Sequence, residues 1–371
     1  MRPLQNIDEL DSIRGIGILL VFFFHACGFL KVNLDFMPNI LSSFIKEGHS
    51  GVTLLFVLSA FLISKPYLKS MNSGILPSTR NFYLKRILKI IPLYMVMVVI
   101  ASLVYGDLAK FLRALCIFWG VNGPEMHPFS NVWWALYTEI QFYLVMPFVG
   151  YLLLTKKKRL LLLMLVSVYI TCYLCMQLGL ILRSDISSHL RLLYSLFGKG
   201  YIFIIGILLS WFVLKYENKL KSIGNNVLLQ NGAADFFFFL IILAIGLLLK
   251  WVSKVNYWNA EIMIFNWHFL EALLWSLFII TILFLPIRIK PLFSNVVLKK
   301  IGMISYSIFL IHVPVIWYGI ILFSNIASCF HQSNLHPIIL LISLFIITII
   351  LSSITYRFIE RPFLKLKTKY K

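Results

Sequence analysis

The first long apolar run, roughly residues 13–31, holds an arginine and a histidine eleven positions apart, Arg14 and His25. Three helical turns take about 10.8 residues, so both side chains project from one face, about 16 Å apart along the axis. Ionisable residues inside such a run are costly and mark function by default. A neutral imidazole can sit there at modest cost and take a proton from a hydroxyl. The plainer alternative is a structural histidine bonded to a neighbouring helix. Glu139 and Tyr143 lie one turn apart near the outer end of a later run. They share a face, where the acid could bind acceptor hydroxyls or orient an imidazole. It could equally be a solvated carboxylate suited to a helix start.

Other polar residues in apolar runs are less informative. His312 falls near the middle of a run over 301–324, where it either lines the same cavity as His25 or packs. His268 and Glu271 have the i, i+3 spacing of half a metal site, but no mate is visible in the sequence and a self-paired polar spot is the simpler reading. Cys172 and Cys175 form a C-x-x-C inside an apolar run with no second ligand pair, so small buried thiols are expected and no metal is assigned. His127 reads as a solvated loop residue.

These residues need a scaffold, and composition defines it. The 371 residues are 60% hydrophobic and 13% charged. Soluble domains carry roughly 25% charged residues, so lipid must solvate much of this chain. A span needs about 20 apolar residues. Ten runs qualify: 13–31, 49–66, 87–105, 138–155, 159–181, 196–214, 235–252, 264–285, 301–324 and 337–357. The stretch 108–121 is apolar but short, as an interfacial or re-entrant segment is. The expected architecture is all-α, a polytopic transmembrane bundle of about ten helices forming one domain over 1–371. No cleavable signal peptide is expected, because Asp8, Glu9 and Asp11 precede the first run and no small-residue cleavage pattern follows it.

The net charge of +20 is not that of a nucleic-acid binder, because the basic residues sit mostly between the apolar runs. With the N-terminus in the cytoplasm, 25 of the 34 Lys and Arg residues fall on the inner side. Lys156, Lys157, Lys158 and Arg159 are one such cluster. This asymmetry predicts both termini inside. Trp133 and Trp134 then mark the outer interface.

Six stretches, in order, resemble the membrane acyltransferase-3 family, the O-antigen and polysaccharide O-acetyltransferases. They are Leu10-Asp11-Ser12-Ile13-Arg14-Gly15 with His25 following; Gly51-Val52-Thr53 through Ile63; Phe82-Tyr83-Leu84-Lys85-Arg86-Ile87-Leu88-Lys89; Trp134-Ala135 through Tyr143; Ile304-Ser305-Tyr306 through His312; and Tyr356-Arg357-Phe358-Ile359-Glu360-Arg361-Pro362-Phe363. The resemblance implies transfer of an acyl group, most simply acetyl, from cytoplasmic acyl-CoA to a hydroxyl of a cell-surface glycan or lipid-linked sugar. No bound cofactor is implied; acyl-CoA is the donor substrate. By resemblance His25 is the catalytic base or acyl acceptor, Arg14 is essential, and Arg86 and Lys89 meet the donor. Guanidinium and ammonium groups suit the phosphates of CoA. Glu139 is taken as the second catalytic group, with Tyr143, Asp11 and His312 binding acceptor or supporting. The expected location is the inner cell membrane.

Departures from the family pattern are Thr53 for an acidic residue, Ala60 for a glycine, Lys89 for an arginine and Ala135 for a serine. With no soluble C-terminal domain in this sequence, the membrane part is expected to complete the transfer itself. The competing reading is a transporter or flippase for a glycan precursor, since buried polar residues also mark substrate paths; it would call for an internal repeat, and none is evident.

Overall fold

The computed structural model describes residues 8–115, 126–177, 192, 194–254, 267–327 and 335–366. It is helical, with no strand among the described residues. In chain order the helices are α1 (Asp8–Leu30), α2 (Asn39–Lys46), α3 (Ser50–Ser73), α4 (Thr79–Tyr105), α5 (Leu108–Leu115), α6 (Trp133–Leu153), α7 (Lys156–Gln177), α8 (Leu196–Gly224), α9 (Ala234–Val252) and α10 (Trp267–Phe284). They continue with α11 (Lys290–Phe293), α12 (Val296–Met303), α13 (Ser305–Ala327), α14 (Leu335–Thr355) and, after a π-helical segment over Tyr356–Glu360, α15 (Arg361–Leu366).

Ten of these segments are long and apolar enough to cross a membrane, one for each expected run. Several helices outrun their apolar stretch at the basic end. α4 begins at Thr79 and α8 reaches Gly224. Lysine and arginine are good helix formers, so the backbone continues where the hydrophobic signal stops. The ends are set locally. Ser78 caps α4 by accepting from the Asn81 amide, and Gly74 and Gly106, in the left-handed region, end α3 and α4. The expected interfacial segment is the eight-residue α5, bonded through Tyr94, whose hydroxyl donates to the Ala114 carbonyl; residues 116–121 of that stretch lie outside the described residues.

α3 is the central helix, packed by α1, α6, α8 and α10. α7 and α14 stand at the periphery and show most of their surface, as lipid-facing helices do. Close approach rests on glycine. A Cβ at Gly51 would overlap the Gly17 carbonyl, and one at Gly302 the Asp11 carbonyl, which holds α3 and α12 directly against α1. Such small-residue contacts replace the hydrophobic drive that lipid removes. Where the family pattern puts a glycine on α3, this chain has Ala60, and the glycine is on the other helix: Gly206 of α8 sits against the Ala60 side chain and the Val57 carbonyl.

Candidate active site

His25 of α1 meets His312 of α13. His25 Nδ1 lies 3.0 Å from the Val21 carbonyl and 3.1 Å from His312 Nε2, and His312 Nδ1 lies 2.9 Å from the Ile308 carbonyl. Each histidine folds back onto the carbonyl four residues before it. A carbonyl can only accept, so His312 Nδ1 carries a hydrogen and, in the neutral ring, Nε2 carries a lone pair. His25 Nδ1 then faces two acceptors and donates to both. The remaining nitrogen, His25 Nε2, is left as a lone pair. His312 is fully buried and His25 half-buried. The rings of Phe24 and Phe29 flank His25, and Trp317 packs on Phe29. His127, expected in solvent, instead places its ring edge-on to Trp317 at 4.2 Å, and burial lowers its pKa.

The second group is at the basic end. Arg14 donates to Asp11 at 2.6 Å, and Asp8 pairs with Lys299 at 2.5 Å. The Arg86 guanidinium lies over the rings of Phe82 and Tyr143, at 5.4 and 5.2 Å. Tyr143 donates a short hydrogen bond to Glu139, which also accepts from Ser59 at 2.6 Å. Lys89 shares this field with Glu139, Glu360, Arg14 and Arg86. Glu360, buried, accepts a short hydrogen bond from Ser307. The sequence reading set Glu139 at the outer end, apart from the basic residues. The structure corrects this placement: Glu139 is two turns into α6 and grouped with Arg86 and Lys89.

Ser59 and Glu360 belong to this group and were missed as site residues. Both lie in motifs that the sequence singles out, and only helix pairing reveals their partners. The serine lost at Ala135 leaves no gap at Glu139, since Ser59 of α3 supplies the hydroxyl.

A third group lies where α3 and α10 begin. Thr53 Oγ1 donates to Glu271 Oε2 at 2.9 Å, and His268 Nδ1 donates to the same oxygen at 2.9 Å. His49 stands edge-on to His268, with ring centroids 5.8 Å apart. So the mate that the sequence could not supply for His268 and Glu271 comes from the residue just before α3. A carboxylate also stands at the Thr53 departure, delivered by α10. Glu47 lies 3.4 Å from His49, and the buried Lys199 faces Glu271. Burial and the nearby Glu271 push the Glu47 carboxyl up to about 8, and burial pushes His49 down to about 3. Phe24 separates this group from His25, with its ring 5.0 Å from His25 and 5.5 Å from His49.

The site thus has three polar groups: a basic cluster, an imidazole with an open nitrogen, and a histidine–carboxylate cluster. Residues 7–357 match the family Acyl_transf_3, described as "Acyltransferase domain". The chain belongs to the acyltransferase-3 family. Among relatives, a Staphylococcus aureus (strain COL) protein named "Putative O-acetyltransferase" is 24% identical over 98% of this chain and 58% of its own length. The peptidoglycan O-acetyltransferase OatA of Listeria monocytogenes is 24% identical over 97% of this chain and 56% of its own length. The regulator of hypoxia-inducible factor 1 of Caenorhabditis elegans is 22% identical, with 99% and 81% covered. The chain therefore spans a little over half the length of the bacterial relatives. No solved structure matches it.

Proposed function

We propose that this acyltransferase-3 chain is a membrane O-acetyltransferase that uses cytoplasmic acyl-CoA, with both of its termini on that side of the cell membrane, and transfers to a hydroxyl of a cell-surface glycan or lipid-linked sugar. The observation that carries this reading is the bonding of His25, which leaves Nε2 as a lone pair on a half-buried ring. Arg86, Lys89 and Arg14 bind the donor's phosphates, which suit paired guanidinium and ammonium groups. The thioester extends along α1 toward His25, about 16 Å from Arg14. His25 Nε2 takes the acceptor's hydroxyl proton as the oxygen attacks the thioester carbon. The C–S bond breaks, and the proton leaves with the CoA thiolate. An acyl-histidine route uses the same nitrogen as nucleophile. His312 is the positioning residue that fixes the His25 tautomer.

Membranes supplied with radiolabelled acetyl-CoA test the reading. The enzyme moves label into surface glycan only when the chain is present. Glycan export lost with no change in acylation would instead identify a transporter.

A further inference from the structure

We propose that His49, His268 and Glu271 bind one divalent transition-metal ion of the zinc class. The site does not depend on the acyl-transfer reading, since its three residues lie at the starts of α3 and α10 and none of them has a role in that reading.

Each residue offers one ligand atom, and these atoms lie within 4.8 Å of one another. Zinc–nitrogen and zinc–oxygen bonds of about 2.0–2.2 Å, set tetrahedrally, hold ligand atoms about 3.3 Å apart. His268 Nδ1 and Glu271 Oε2 lie 2.9 Å apart. Coordination requires the ligand atoms to close from within 4.8 Å to about 3.3 Å. The two imidazole rings have centroids 5.8 Å apart, close enough for both to reach one ion. Two imidazoles and one carboxylate with a fourth position open are a zinc-type donor set. Glu47 lies 3.4 Å from His49.

The surroundings resemble an outer coordination shell. Thr53 Oγ1 donates to Glu271, and Ser50, at the start of the same helix, accepts from Trp275 Nε1 at 2.9 Å. Hydrogen bonds to ligating carboxylates hold them in register. Glu271 is 1% exposed, and a buried carboxylate gains from a cation. Lys199 is the opposing element, because its ammonium faces Glu271 and both histidines. Metal entry displaces the proton shared by His268 and Glu271. The ion would pin the start of α3 to α10, two helices brought together from distant parts of the chain.

Cobalt(II) is the probe. The full chain, purified in detergent and stripped with a chelator, is titrated with Co2+ while visible absorption is followed, and Zn2+ is then added in competition. One Co2+ per chain, with the intense bands of a four-coordinate site and displacement by Zn2+, is expected. His49→Ala, His268→Ala and Glu271→Gln remove the bands. Thr53→Val weakens affinity by roughly 10–100-fold, and Lys199→Met strengthens it. His25→Ala and His312→Ala leave it unchanged. Wild-type protein that binds no stoichiometric Co2+ overturns the proposal. So do bands that survive His49→Ala or that vanish in His25→Ala. The wild-type stoichiometry and the Lys199→Met comparison stand even where a ligand variant fails to fold.

Discussion

His312 Nε2 lies 3.1 Å from His25 Nδ1, and this contact sets which nitrogen of His25 is free to act. A buried ring donating to its own helix can only accept from His25, so the pair has one consistent neutral arrangement. His312→Ala removes the acceptor and lets His25 rotate or change tautomer. We expect kcat to fall by about 10²-fold or more, the lower end of what a positioned acid–base group contributes, with little change in the KM for acyl-CoA. His312→Gln restores an acceptor and should recover part of the loss. Steady-state kinetics on the three proteins check this; equal loss in kcat and donor KM would contradict the assigned role.

Arg86 stands over the Tyr143 ring, and Tyr143 is bonded to Glu139. The pair therefore positions the guanidinium, so Tyr143→Phe and Glu139→Gln should raise the KM for acyl-CoA and leave the acceptor KM in place. Had Glu139 bound acceptor hydroxyls, one of the two roles open to it from sequence, the reverse would be expected. Measuring both KM values decides between them.

Removing the Arg86 guanidinium itself should cost more. A hydrogen bond to a charged group contributes about 1.5–3 kcal/mol, so Arg86→Ala is expected to weaken acyl-CoA binding by roughly 10–100-fold. Arg86→Lys should recover only part, because an ammonium lacks the planar fork. Isothermal titration with a non-hydrolysable acyl-CoA analogue reads this directly; unchanged affinity in Arg86→Ala would remove Arg86 from the donor site.

Gly302 and Gly51 hold α12 and α3 against α1 through backbone contacts that admit no Cβ. Gly302→Ala should therefore destabilise the fold by about 1–3 kcal/mol, the usual cost of overpacking, whereas Gly28→Ala meets open space and should be neutral. Thermal unfolding in detergent compares the two. Equal midpoints would mean that the α1–α12 contact is looser than described.

The spans were legible because each is a long apolar run, a signal that needs no tertiary information. Their ends were less so, since lysine and arginine carry α4 and α8 beyond the apolar windows. His25, Arg14, Arg86 and Lys89 could be named as candidates from motif and charge. What stayed hidden was pairing. His312 was equally readable as packing until α13 placed it beside α1. His49 is an unremarkable residue at a span border until α10 brings His268 to it. Thr53 read as a lost acid, but Glu271 returns a carboxylate from another helix. Lipid-embedded helices pair through small residues and scattered polar contacts, and neither leaves a periodic mark that names the partner.

In the proposed reaction, His25 Nε2 performs the acyl transfer. The most direct measurement is the rate of CoA thiol release, coupled to acetyl transfer, by purified wild-type and His25→Ala protein at saturating acetyl-CoA with surface glycan as acceptor. A fall of about 10²–10⁴-fold, the range for loss of a general base, is expected, with acyl-CoA still bound at wild-type affinity. A His25→Ala protein that transfers at the full rate contradicts it.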